Sequence, residues 1–253
     1  MINRYCFLMP RPTWFVFTAI TLFLLVITLD VFEFDLISST LELALVPVVT
    51  VLYLLLVKNR SKCLSIFFIL YSITDIINIL DFNAISDWAY FVCNTLYIGA
   101  YFFLMLYIIK SLSFKLVFKN FLLDFVVLIL IDLYMVYVLI SMIKPLDFES
   151  NQLVSMQLIE LVYNLIIIIV LSLSFLNFVQ NAVKKYFLLF VSCVLITFSE
   201  LMLIGYYYIV EDIRISYASS FLFICGIIML LFHTFIVDKV KTEHIVSPIS
   251  PKT

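Results

Sequence analysis

Glycine is almost absent from this chain, with only three Gly among 253 residues. A glycine-rich loop that wraps a nucleotide phosphate is therefore excluded, because such loops need several glycines at close spacing. Helix association through GxxxG motifs is excluded for the same reason. Contacts between helices are instead expected to depend on Ser, Thr, Ala and aromatic side chains.

Charged residues and paired cysteines are also scarce. Only 13% of the residues are charged, the net charge is −2, and no basic cluster exceeds three residues, so nucleic-acid binding has no support. The five cysteines are scattered without a CxxC spacing, and their odd number argues against a disulfide framework. No HExxH or GxSxG motif occurs. We therefore predict no metal and no organic cofactor.

What the chain has in abundance is apolar sequence. Hydrophobic residues make up 65% of it and the mean hydropathy is +1.21, whereas a soluble domain is about half apolar and about a quarter charged. A membrane-spanning helix needs about 20 apolar residues. We therefore predict an all-α polytopic transmembrane bundle of about eight spans, forming a single integral membrane domain over residues 1–253 in a lipid bilayer. The spans are expected at roughly 14–34, 39–57, 63–80, 88–109, 119–143, 153–178, 186–209 and 217–237.

Basic residues are concentrated at the two ends of the chain and in every second loop. Thirteen of the fifteen Lys and Arg residues lie before the first span, after the eighth, or in the loops that follow even-numbered spans. The other loops contain only Lys144 and Arg214 and are rich in Asp and Glu. By the positive-inside rule, both termini are expected in the cytoplasm, as a segment 1–13 and a tail 239–253, with the protein in a bacterial inner membrane. No small-residue cleavage pattern follows the first span, which is therefore expected to be a retained helix.

Four acidic residues, Asp75, Asp132, Glu160 and Glu200, lie well inside apolar spans. Counting from the flanking lysines at about 1.5 Å per residue places Asp75 and Asp132 about 20 Å, and Glu200 about 22 Å, above the inner face. Glu160 lies about 10 Å below the outer start of its helix. In a hydrocarbon core about 30 Å thick, all four occupy the outer third. Because a carboxylate facing lipid costs several kcal/mol, we expect these groups to face a shared polar interior.

Three interpretations of this acidic cluster remain open. Crowded carboxyl groups do not all ionise easily, so a protonated acid beside a carboxylate is expected, as in general acid–base hydrolysis. The same groups would also serve as proton relays in a transporter or carrier. Alternatively, they form a hydrogen-bonded polar core that holds helices together, in a protein that works as a sensory or scaffold module through partners.

Two short segments predict an internal repeat. "SITDII" at 72–77 and "TFSELM" at 197–202 both read hydroxyl, apolar, hydroxyl, acid, apolar, apolar. Both lie on outward-running spans, four spans apart, so the chain is predicted to contain two four-helix halves with Asp75 and Glu200 at equivalent positions. Polar residues beside or level with this acid pair are the predicted pocket residues: Asp132, Glu160, Ser199, Thr74 and Asn78.

An eight-span bundle with one acid in the third span and one in the seventh resembles the YhhN family, which includes the membrane lysoplasmalogenases. The family pattern has Lys-Pro in the second span, Gly-Asp in the third and Ser-Asp in the seventh. The corresponding pairs in this chain are Val46-Pro47, Thr74-Asp75 and Ser199-Glu200, and Tyr101 lies in the fourth span where members often have a His.

The resemblance implies that the substrate is a lysophospholipid of the lysoplasmalogen type. Hydrolysis of its vinyl ether bond would give a fatty aldehyde and a glycerophospho head group, with Asp75 and Glu200 as the catalytic acid–base pair. The missing Lys would remove a cation that binds the lipid phosphate or keeps a carboxylate ionised. The replacement of Asp by Glu200 keeps the carboxylate and lengthens its reach by one methylene.

Overall fold

The computed structural model describes residues 12–32, 34–81, 87–143 and 151–236. Within these ranges every regular element is a helix, which confirms the all-α prediction. The helices are α1 (Pro12–Val31), α2 (Asp35–Leu56), α3 (Lys62–Asp81), α4 (Asp87–Ile109), α5 (Phe114–Asn120), α6 (Leu122–Ile143), α7 (Asn151–Asn181), α8 (Lys184–Tyr208) and α9 (Ile213–Phe235).

Seven of these helices are long and apolar enough to cross a membrane, namely α2, α3, α4, α6, α7, α8 and α9. The chain is therefore a polytopic helical membrane protein, as its composition predicts. Helix α1 has 20 residues, and the segment Ile20–Leu29 is apolar within the part of the helix that the structure describes in full. That α1 forms an eighth span stays a prediction. Residues 1–11 and the predicted tail 239–253 lie outside the described residues.

The fifth predicted span, 119–143, is interrupted near its start. Helix α5 ends at Asn120, and Phe121 leaves the helical region with φ −126° and ψ 29° before α6 begins. Hydropathy could not detect this break because Phe121 is apolar and continuous in sequence with the apolar residues of α6. On α5, Val117 is fully buried against Leu112 and Leu176, which fixes this short helix to the ends of α4 and α7.

Six helices form a closed ring. In order of contact they are α2, α3, α4, α7, α8 and α9, and α9 packs back against α2, while α1 packs against both α2 and α9. Helix α6 lies outside this ring, where it packs against α7 and α5. Most of its surface is therefore exposed to the predicted lipid, and only a small share of its residues is buried.

The packing supports the predicted repeat. If α1 to α4 correspond to α6 to α9, the contacts α1–α2, α2–α3 and α3–α4 match α6–α7, α7–α8 and α8–α9. The contact between α4 and α7 likewise matches that between α9 and α2. One contact breaks the pattern: α1 packs on α9, whereas within the described residues α6 makes no extensive contact with α4.

Equivalent hydrogen bonds join the paired helices in each half. The Cys93 thiol of α4 donates to the Thr74 carbonyl of α3 at 4.0 Å, and the Ser219 hydroxyl of α9 donates to the Ser199 carbonyl of α8 at 2.9 Å. Thr74 precedes Asp75 just as Ser199 precedes Glu200. The two acids therefore occupy equivalent places in their halves.

Helices α8 and α9 make the most extensive contact, and Gly226 permits their close approach. A Cβ atom on Gly226 would lie 2.7 Å from Ile196 Cγ1 and 3.1 Å from the Ile196 backbone nitrogen. The Ser192 hydroxyl donates to the Gly226 carbonyl at 2.8 Å, so a polar contact reinforces the same crossing.

The two ends of the bundle differ. At the end predicted to face the cytoplasm, His233 is fully buried, with Nε2 2.9 Å from the Tyr107 hydroxyl and Nδ1 2.8 Å from the Lys185 carbonyl. This joins α9 to α4 and α8. At the other end, Asp212 caps α9, and the hydrogen bond from the Arg214 backbone N–H lowers the pKa of the Asp212 carboxyl.

Candidate functional site

A cavity of about 830 Å³ lies inside the ring, at the end predicted to face outward. Its lining comes from the first halves of α2, α4, α7 and α9 and the second halves of α3 and α8. The residues are Ser39, Glu42, Leu43, Tyr71, Asp75, Tyr90, Asn94, Tyr97, Glu160, Tyr163, Asn164, Ser199, Glu200, Leu203, Ile204, Tyr207, Tyr208, Ser216, Ser219, Ser220 and Phe223. Both halves of the chain therefore contribute to one site.

Four carboxyl groups line this cavity, and they come from four different helices: Glu42, Asp75, Glu160 and Glu200. None of the described lining residues is Lys, Arg or His. Buried carboxylates without a protein cation need protons, hydrogen-bond donors or a cationic ligand group. In the part of the chain that the structure describes, no three His, Cys, Asp or Glu side chains are grouped to hold a metal ion.

Asp75 and Glu200 each accept a hydrogen bond from a tyrosine. The Tyr97 hydroxyl donates to Asp75 Oδ1 at 2.7 Å, and the Tyr163 hydroxyl donates to Glu200 Oε1 at 2.8 Å. The two tyrosine rings are neighbours, with centroids 6.1 Å apart. The two acids are therefore held in one aromatic wall.

The predicted pocket residues around Asp75 lie behind the cavity wall. The Asn78 side chain donates to the Tyr97 hydroxyl at 3.0 Å, so it orients the tyrosine that holds Asp75. Thr74 is fully buried, and its hydroxyl donates to the Leu70 carbonyl at 2.9 Å. Neither residue lines the cavity. Asp75 itself is only 2% exposed.

Of the other predicted pocket residues, Glu160 and Ser199 line the cavity and Asp132 does not. Glu160 Oε2 accepts a hydrogen bond of 2.6 Å from the Tyr208 hydroxyl. Asp132 accepts one of 2.7 Å from Ser172, at the contact between α6 and α7. Its depth matches that of the other acids, but α6 lies outside the ring, so its carboxyl group cannot reach the interior.

Sequence reasoning missed Glu42 and the tyrosines. Glu42 is the eighth residue of α2 and lies inside the predicted span 39–57, so the rule that identified the other intramembrane acids applied to it as well. The tyrosines had no such signal, because the chain contains 15 Tyr and aromatic residues are common at membrane boundaries.

Two positions on which the family resemblance depends lie in the core. Val46, at the place of the family's Lys, is 0% exposed and does not line the cavity. Tyr101, at the place of the family's His, is buried below the cavity, with its ring centroid 5.6 Å from that of Tyr163 and 6.0 Å from that of Tyr71. At both positions a buried uncharged side chain therefore stands where the family pattern has a basic one.

The fold and the site together define a polytopic helical membrane protein with an internal cavity lined by acids and tyrosines. No family model matches the chain, and neither the curated proteins nor the solved structures contain a match.

Proposed function

We propose that this protein is a membrane-embedded hydrolase of the lysoplasmalogenase type, which cleaves the vinyl ether bond of a single-chain lipid. The observation that carries the proposal is the convergence of Asp75 and Glu200, from equivalent helices, in one cavity where each accepts a tyrosine hydrogen bond. The volume of about 830 Å³ is that of a ligand site rather than of a packing defect.

The proposed reaction needs only the two carboxyl groups and water. The protonated member of the pair gives its proton to the alkene carbon that is not bonded to oxygen, which produces an oxocarbenium ion. The carboxylate member stabilises this cation and takes a proton from the attacking water. In the resulting hemiacetal, the hydroxyl returns its proton to the first carboxylate while the second carboxyl group protonates the glycerol oxygen. The bond between the carbon and this oxygen breaks, a fatty aldehyde leaves, and both acids regain their starting state.

The remaining lining suits a lipid head group that carries an ammonium. Glu42 and Glu160 supply negative charge, and Tyr90 and Tyr207 supply aromatic faces, on which alkylated ammonium groups bind favourably. Choline and ethanolamine head groups both satisfy this requirement. We place the head group beside Glu42 and Glu160, and the vinyl ether beside Asp75 and Glu200.

A proton-coupled carrier is the second candidate, and the repeat favours it. Many transporters consist of two related halves with a binding site between them. Here the two halves contribute equivalent acids to one cavity without a protein cation. In that function Asp75 and Glu200 would bind and release transported protons.

One pair of assays separates the two functions. Purified protein in detergent is incubated with choline and ethanolamine lysoplasmalogens, and fatty aldehyde is quantified by mass spectrometry. The same preparation in liposomes is tested for proton flux with an internal pH dye, with and without organic cations outside. Aldehyde release without flux is expected. Cation-dependent flux without aldehyde release from a monodisperse preparation would establish the carrier instead.

We further propose a bacterial inner-membrane location with both termini in the cytoplasm, on the basis of the loop charges. Reporter fusions after Lys62, Lys185 and Lys252 are expected to give cytoplasmic signals, and a fusion after Asp147 a periplasmic one. A reporter at the N-terminus tests α1, because seven spans would place the two termini on opposite sides. A periplasmic signal there would contradict the proposed orientation.

A further inference from the structure

Helix α1 covers the seam between α2 and α9. It packs against these two helices, with the Phe23 ring centroid 4.7 Å from that of Phe221 on α9. Near the turn into α2, the Ser38 hydroxyl donates to the Val26 carbonyl at 3.1 Å. The opposite face of α1 exposes apolar side chains, including Phe17 and Leu24, in the direction of the predicted lipid.

The seam behind α1 is the more open of two equivalent seams. Helices α2 and α9 touch over a short stretch, whereas the corresponding helices α7 and α4 pack extensively. The repeat thus provides an internal comparison: the same junction is closed in one half of the ring and loose in the other. The loose junction is the one that has a covering helix.

The side chains at the two seams explain this difference. On α9 the cavity wall is formed largely by the small residues Ser216, Ser219 and Ser220. Cys93 on α4 and Ser219 on α9 donate equivalent hydrogen bonds, so the two helices can be aligned at these residues. In this alignment, Ser216 and Ser220 on α9 correspond to the larger Tyr90 and Asn94 on α4. At these two positions, side chains on α9 therefore fill less of the cavity wall than their counterparts on α4.

We propose that the seam between α2 and α9 is the lateral entrance through which a single-chain lipid reaches the cavity from the bilayer, and that α1 moves aside to admit it. This inference rests on the proposed function, because it takes a membrane lipid as the cavity's ligand. A lipid that enters sideways keeps its tail in hydrocarbon while its head group reaches the acids, so it avoids exposing the tail to water.

Fastening α1 to α9 tests the entrance. Phe23→Cys and Phe221→Cys are combined in a protein whose five native cysteines are replaced by Ala and whose turnover of lysoplasmalogen is measured first. Oxidation to the disulfide is expected to reduce turnover about tenfold or more, since a cover that cannot open makes entry rate-limiting. Reduction of the disulfide is expected to restore turnover.

The matched control joins α7 to α8 through Phe175→Cys and Phe190→Cys. The centroids of the two native phenylalanine rings are 5.3 Å apart, and the oxidised control is expected to keep its turnover. Full turnover in the verified α1–α9 disulfide would overturn the proposal.

A photoreactive lipid distinguishes failure of the entrance from failure of the function. A lysophosphocholine with a diazirine in its tail is irradiated with each protein in liposomes, and labelled peptides are identified by mass spectrometry. Labelling of cavity residues that is lost in the α1–α9 disulfide supports the entrance even if no aldehyde is released. Labelling that persists in the disulfide overturns the entrance and leaves the hydrolase proposal standing. Absence of cavity labelling in the uncrosslinked protein overturns both.

Discussion

Replacing Asp75 by Asn, or Glu200 by Gln, is expected to reduce the rate of fatty aldehyde release about 10²–10⁴-fold, the usual cost of losing general acid–base participation. Each amide is nearly the same size as the acid that it replaces. It can still accept the hydrogen bond from Tyr97 or Tyr163, so the wall of the cavity is expected to remain intact. What the amide cannot do is donate a carboxylic acid proton or stabilise a developing cation. The measurement is aldehyde release by the purified variants, at matched protein concentration.

Asp132→Asn is the matched control for these variants. It makes the same chemical change at a similar depth, but its hydrogen bond to Ser172 lies at the contact between α6 and α7, outside the ring. Aldehyde release close to that of the unmodified protein is expected. Full activity in Asp75→Asn and Glu200→Gln would reject the acid–base mechanism. Equal loss in all three variants together with aggregation would show that the acids stabilise the bundle instead.

Gly226→Ala is expected to destabilise the bundle by about 1–3 kcal/mol, the usual cost of forcing an extra methyl group into a packed interface. The added Cβ would lie 2.7 Å from Ile196 Cγ1, and the nearby Ile196 backbone nitrogen, at 3.1 Å, cannot rotate away as a side chain does. Helices α8 and α9 would have to separate, which would also lengthen the hydrogen bond from Ser192 to the Gly226 carbonyl. The measurement is the midpoint of thermal unfolding in detergent.

Gly99→Ala provides the comparison within the same chain. Gly99 lies on α4, the counterpart of α9, and its added Cβ would meet only Leu70 Cδ1 at 3.7 Å, an ordinary contact. Because Ala favours the helix over Gly by about 1 kcal/mol, this variant is expected to be as stable as the unmodified protein or slightly more stable. If both variants unfold at the same temperature, the close approach of α8 and α9 does not depend on Gly226.

The helices were largely predictable from the sequence, because lipid imposes a strict rule on the chain. Backbone polar groups in hydrocarbon must be satisfied within the segment, so long apolar runs become helices. Seven predicted spans correspond to long apolar helices in the structure. The break at Phe121 was missed because it depends on the docking of α5 through Val117, to which hydropathy is insensitive.

The candidate site was predictable only in part. The depth of an acid follows from its distance along a helix, so Asp75, Glu160 and Glu200 could be assigned to one level, and all three line the cavity. Depth does not say which helices surround a cavity. Asp132 has the same depth but lies on α6, outside the ring, and Glu42, which had the same type of signal, lines the cavity.

The sequence by itself determined that this chain is a helical membrane protein with acids buried in its spans, because hydropathy and helical rise are local properties. Only the tertiary structure decided which acids share a cavity, which tyrosines donate to them, and which seam of the ring is loose. Those features depend on side chains from helices that do not follow one another in the chain, such as Tyr97 on α4 and Tyr163 on α7, whose contact is set by the order of helices around the ring.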